Sequence, residues 1–334
     1  MTSRVPALLA LSAGSVLVLA GCATSAAPAA GESDRLTVVA STNVYGSLAA
    51  AVGGDDVEVT SIIDSLSQDP HSYEASARDQ LTVSQADLVI ENGGGYDAFL
   101  DGLIEATGTK APVITAVEYS HDYPGNEGHS DEAHAEDDHA EGEGHDHAED
   151  DDHAGHDHIE GFNEHVWYDL HTMEHVVEDI AHELGELDAA KADTFEANAK
   201  TLIDGIAGLE GSLEAIKTDH AGEKVFVTEP VPLYLAAAAG LENATPEAFS
   251  EAVEEGQDVP PATMLEATDI LDSGEVRTVI VNAQTGGAET TEVENLAAKN
   301  DIPVLEFTEL LPEGLTYVEW MQQNIDELAG SLTR

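Results

Sequence analysis

The sequence predicts an α/β fold of two similar lobes with mostly parallel sheets joined by a long rigid helix, and three observations carry that expectation. Apolar, β-branched runs alternate with stretches of helical periodicity in both halves of the chain, the pattern of strands crossed over by helices. A proline-free stretch of helix formers at 172–217 separates the two alternating halves. Removing a 21-residue leader from the 334 residues leaves a chain of about two domains' length.

Each element follows from local pattern. In the first half the strands are "LTVVAS", "VEVTSII", "DLVIEN" and "PVITAV", with helices expected at 44–52, 77–86 and 96–106. In the second half "KVFVT", "VRTVIVN" and "IPVLEF" are strands, with helices at 232–239, 261–271, 292–299 and 317–332. Strands separated by helices pair in parallel and are covered on both faces. In the intervening stretch the break falls near Leu187-Asp188, where Asp188 is placed to cap the next helix. A linking helix at 188–218, about 30 residues at ~1.5 Å each, would run the length of a small domain and resist bending. Two packed helices within one lobe are the competing arrangement of the same pattern. The expected layout is an N-terminal lobe at 35–187, the linking helix, and a C-terminal lobe at 219–334.

Arg4, an apolar run at 5–20 and the tetrapeptide Leu19-Ala20-Gly21-Cys22 read as an export signal ending in a lipid-attachment cysteine. The run is too short to span a bilayer. Cys22 is the only cysteine, so no intramolecular disulfide and no thiolate metal site is available; a lone buried cysteine is the plainer reading. Residues 22–34, small and polar, form a tether.

The 67 acidic against 11 basic residues give a formal charge of −56 and exclude nucleic acid as a partner, since phosphate contacts need clustered Lys and Arg and none lies between Lys110 and Lys191. Such a surface attracts cations. A saline habitat produces the same excess. The stretch 121–158 departs from its surroundings: it holds nine histidines (His121, His129, His134, His139, His145, His147, His153, His156 and His158) and fifteen acidic residues. It has too little apolar surface to form a core and is expected to project as a loop that binds metal weakly in many geometries, or simply as a solvated acidic loop.

Without thiols, a defined transition-metal site must use imidazole and carboxylate groups. Four candidates share one topological place, at or beyond the C-terminal end of a strand, where open α/β sheets bind ligands. They are His71 in "SQDPHSYEAS", His165 in "FNEHVWYDLH", Glu229 in "VFVTEPVPLYL" and Glu309 in "LEFTELLPEG". His171, His175 and His182 share one helical face and form a competing cluster, though a solvated face explains that spacing as well. "HELGE" from His182 lacks the second histidine of a metalloprotease motif, and "NGGG" at 92–95 lacks the lysine of a phosphate loop and reads as a turn.

At these residues the sequence resembles the substrate-binding lipoproteins of bacterial zinc and manganese ABC importers. The resemblance rests on the lipobox and on "VVASTNVYGSLAAAVGGDDVEVTSII", "DPHSYEAS", "NEHVWYDL", "TEPVPLYLAAAAGL" and "TYVEWMQQNIDEL". It implies one metal held in the cleft between the lobes by His71 and His165 from the first and Glu229 and Glu309 from the second. It also implies a non-enzymatic receptor, lipid-anchored at the extracytoplasmic face of the membrane, acting as a monomer and delivering its ion to a membrane permease. Many zinc-selective members have histidine where Glu229 stands, whereas manganese-binding relatives have a carboxylate. Two imidazoles with two carboxylates accept Zn2+ tetrahedrally or Mn2+ at higher coordination, and the histidine-rich stretch favours zinc. A metal-dependent hydrolase and a surface adhesin or metal buffer are the rivals from other classes.

Overall fold

The computed structural model describes residues 35–126, 159 and 161–333. The expected signal peptide, Cys22, the tether and eight of the nine loop histidines, all but His121, lie outside the described residues. In chain order the first half contains β1 (Leu36–Thr42), α1 (Asn43–Gly53), β2 (Val57–Ile63), α2 (Ala77–Val83), β3 (Leu88–Glu91), α3 (Ala98–Thr107) and β4 (Val113–Thr115). Two helices follow, α4 (Leu170–Leu187) and α5 (Ala192–His220). The second half contains β5 (Lys224–Val227), α6 (Leu233–Ala238), β6 (Glu242–Asn243), α7 (Glu247–Glu254), α8 (Pro261–Asp272), β7 (Val276–Asn282), α9 (Ala288–Lys299), β8 (Val304–Phe307) and α10 (Tyr317–Leu332).

The strands build two four-stranded parallel sheets, ordered β2-β1-β3-β4 and β6-β5-β7-β8. In each, the chain first steps outward and then crosses to the other side of the starting strand. The connections therefore diverge between β1 and β3 and between β5 and β7, opening a crevice at the C-terminal strand ends. The period-2 alternation of the strands divides the apolar side chains among three cores. Val38 and Ala40 of β1 and Val225 and Val227 of β5 belong to one core that also takes in α1, α4, α5 and α10. Val39 faces a second core with Val89, Leu100 and Leu103, and Phe226 faces a third with Phe249, Val279 and Leu296. The first core thus reaches both sheets through the helices between them.

Helix α5 is the longest element, 29 residues or about 43 Å. Its buried stripe of Phe195, Ala199, Ile206, Leu209, Leu213 and Ile216 recurs at steps of three, four or seven residues, so one face packs against α4, α1 and α10. Burying each larger apolar side chain contributes roughly 1.5–3 kcal/mol. The helix begins four residues later than Asp188. That residue instead ends α4, and its carboxylate accepts from the Ala190 amide within the turn between the helices.

Gly208 and Gly211 sit within α5, and a Cβ added at either meets nothing within 4 Å. Glycine in a helix interior costs about 0.5–1 kcal/mol relative to alanine. Gly208→Ala and Gly211→Ala are each expected to stabilise the chain by about that amount, read as an increased urea midpoint at unchanged slope.

Candidate metal centre

The centre is assembled from loops beyond strand ends, each fixed by local chemistry. His71 follows Asp69-Pro70, and the Asp69 carboxylate accepts from the His71 amide at 2.9 Å and from the Ser72 hydroxyl at 2.7 Å, tying the turn. The Gly93-Gly94-Gly95 turn after β3 has positive φ throughout (76°, 69° and 96°). A Cβ on Gly93 would lie 2.5 Å from the Thr115 side chain. This turn brings Tyr96 edge-on to His71, with ring centroids 4.9 Å apart.

His165 is buried against Trp167 and Tyr96, at centroid distances of 5.1 and 5.9 Å. The Asn163 side-chain oxygen lies 2.7 Å from its Nδ1 and 3.1 Å from its backbone nitrogen. With Nδ1 donating to that oxygen, Nε2 is the ring nitrogen turned towards Glu254, at 3.7 Å. Asn92 holds this loop from below, donating to the Glu164 carbonyl at 3.0 Å, while Asp97 accepts from the Asn92 and Gly93 amides.

From the second lobe, Glu309 stands two residues beyond β8. Gln284 accepts from the backbone amides of Glu309 and Leu310 at 2.9 and 2.8 Å, fixing the approach. Asn282, at the end of β7, donates to Glu309 at 2.5 Å and to Glu229 at 2.8 Å, and Thr285 donates to the other oxygen of Glu229. Tyr96 of the first lobe donates to Glu309 at 3.3 Å. Asn43 and Leu311, Tyr168 and Thr308, and Asn163 and Pro230 make further bonds across the cleft, so the lobes are closed on one another.

His71, His165 and Glu309 each bring a donor atom within 4.8 Å of the other two. Three of the four residues expected from sequence therefore converge. Glu229 lies beside them, with both oxygens engaged, and joins no such group among the described residues. A carboxylate outside the four candidates also reaches the cleft. Glu254, at the end of α7, is 3.7 Å from His165 Nε2 and forms a neighbouring group with His71 and Glu164. The signal that would have found it is the amphipathic run "PEAFSEAVEE", whose Phe249 is buried and whose last turn points Glu254 at the cleft.

The electrostatics are those of an anionic pocket. Burial first, then the charge of Glu229, pushes Glu309 up to about 8. Burial first, then Glu164, Glu229 and Glu309, pushes Glu254 up to about 9, and burial raises Glu229. The strongest charges on these carboxylates are themselves acidic. Two neutral imidazoles and several buried carboxylates suit a divalent cation, which replaces protons and relieves mutual repulsion.

His121, the one described histidine of the rich stretch, is exposed, 3.2 Å from the Asp122 carboxylate and 3.9 Å from that of Asp169. His171 and His175 pack ring to ring at 4.8 Å, while His182 is exposed and joins no metal-ligating group among the described residues.

Comparison with known proteins places these features. Residues 38–331 match the family described as "ZnuA: Zinc-uptake complex component A periplasmic". The manganese ABC transporter substrate-binding lipoprotein PsaA of Streptococcus mitis is 25% identical over 339 residues, covering 96% of each chain. The iron ABC transporter substrate-binding lipoprotein MtsA of Streptococcus pyogenes serotype M1 is 24% identical over 345 residues, again with 96% of each chain covered. Among solved structures, the periplasmic zinc-binding protein TroA from Treponema pallidum superposes with a TM-score of 0.67 at 16% identity, over 90% of this chain and 100% of that one. That likeness concerns the fold.

Proposed function

The chain belongs to the periplasmic zinc-uptake component A family, and from that premise we propose that it captures one zinc ion in the cleft and hands it to an ABC import permease. Members of this family are metal-binding components of importers, not enzymes. The observation that carries the reading is the convergence of His71, His165 and Glu309, donors from both lobes, within 4.8 Å. Binding thereby bridges the lobes, and a loaded receptor presents a different surface from an empty one.

In this reading His71, His165 and Glu309 are ligands, and either Glu254 or Glu229 completes the set. Position favours Glu254, which stands 3.7 Å from His165 Nε2 and groups with His71, whereas Glu229 joins no ligating group among the described residues. Two imidazoles and two carboxylates leave a bound divalent ion formally neutral and close a four-coordinate shell suited to zinc. The third nearby carboxylate favours manganese as the second reading, since harder ions take more oxygen ligands. The relatives named for manganese and iron support that alternative equally. Cys22 provides the lipid anchor on the extracytoplasmic face, the receptor acts as a monomer, and the histidine-rich stretch raises the local metal concentration.

The deciding experiment is a metal competition on unlipidated protein lacking residues 127–158, equilibrated against zinc and manganese together and analysed for bound elements. One retained zinc per chain is the expected result. Retention of manganese reassigns the cargo, and no stoichiometric metal overturns the receptor reading. In the same assay Glu254→Gln is expected to weaken retention more than Glu229→Gln; the reverse order returns Glu229 to the ligand set.

A further inference from the structure

A second mixed imidazole-carboxylate group lies on the helical pair α4 and α5. His171 and Glu174 of α4 and Glu210 of α5 each bring a donor atom within 4.8 Å of the other two. The spacing is preset by backbone rather than by a loop: His171 and Glu174 stand at i and i+3 near the start of α4. The Asp169 carboxylate caps that turn, accepting from the His171 amide at 3.2 Å and the Thr172 hydroxyl at 2.6 Å. Glu210 lies on α5 between Gly208 and Gly211 and is exposed. The His175 ring packs edge-on against that of His171 and steadies it.

The charge balance around this group is unusual for two facing helices. Helix α4 contains no lysine or arginine, and the two lysines within α5 are committed elsewhere, Lys200 to Asp204 at 2.8 Å and Lys217 to Glu214 at 3.7 Å. Glu174 and Glu210 therefore confront each other without an ammonium between them. After burial, Glu210 is the largest influence raising the pKa of Glu174, and His171 acts in the opposite sense. Like charges this close repel, and a cation among them relieves the repulsion, whether the imidazole of His171 when protonated or a metal ion that the imidazole ligates when neutral.

We propose that His171, Glu174 and Glu210 form a second, surface site for a divalent transition-metal ion, which pins α4 to α5. One imidazole and two carboxylates, with water filling the remaining positions, is a borderline donor set open to several such metals. The site is distinct from the cleft because it shares no ligand with it.

The test is a Co2+ titration of the full, unlipidated chain labelled with 15N, following the backbone amides of residues 207–213 of α5 alongside those around His71. Paramagnetic perturbation of the α5 amides is expected, and both Glu210→Gln and His171→Ala should abolish it while the cleft amides still respond. Glu210 is exposed, so its substitution leaves the packing of α5 intact. No perturbation in α5, or a perturbation that survives either substitution, overturns the proposal. Loss of response around His71 alone would instead count against the cleft reading.

Discussion

His71→Ala is expected to reduce metal affinity by more than ~100-fold, exceeding the loss typical of partners that only orient a ligand. That corresponds to more than about 2.7 kcal/mol of binding free energy. The ion would lose one of the two imidazole donors and be held by His165 and carboxylates alone. His165→Ala should abolish tight binding equally but also destabilise the fold, because its ring is packed between Tyr96 and Trp167. His71 is less deeply buried, which makes it the cleaner variant. Competition against a chelator of known affinity, with far-ultraviolet circular dichroism as the control for folding, gives the measurement. A drop of less than tenfold in His71→Ala would remove the cleft as the site.

The second large effect is in pH. Glu309, held at about 8 by burial, retains a proton in the native state over a range where the unfolded chain, at the ordinary value of 4.5, has lost it. The native protein therefore binds more protons than the unfolded chain, and stability falls as pH rises through that window by about 1.4 kcal/mol per unit for each such group. The contribution is fully present below the unfolded value and is lost by about pH 8. Glu254 acts in the same sense, as does Glu91, raised to about 8 by burial and by Asp97. If Glu309 and Glu254 are ligands as proposed, metal bound in the cleft displaces their protons but leaves Glu91 untouched. Thermal melts from pH 5 to 8 should thus show the metal-free protein losing stability more steeply than the loaded one, with the gap between them widening. A gap independent of pH would exclude proton-linked carboxylates from the site. Glu91→Gln should flatten the metal-free curve without changing affinity.

The fold was legible where side-chain periodicity is set by burial. The strands of both sheets except β6 follow from apolar runs such as "LTVVAS" and "VRTVIVN", because a parallel strand covered on both faces is apolar on both. Strand β6 has only two residues, both exposed, and leaves no such trace. His71, Glu229 and Glu309 were legible as candidates because they follow strands, and His165 because it is where the chain resumes after the histidine-rich stretch. Glu254 was not, since it arrives from the end of a short helix and its role depends on where α7 is packed. The engagement of Glu229 by Asn282 and Thr285 was equally hidden: those residues lie more than fifty positions away, and local sequence carries no trace of that pairing.

The core that takes in Val38, Val225 and Tyr317 gives the two lobes a shared fate. Prising them widely apart would hydrate the packing of α1, α5 and α10, a cost on the scale of global unfolding rather than of a hinge motion. On the proposed reading, exchange of cargo would therefore turn on the bonds that tie the donor segments, those of Asp69 at the His71 turn and of Asn163 and Asn92 at the His165 loop, with the helical spine left assembled.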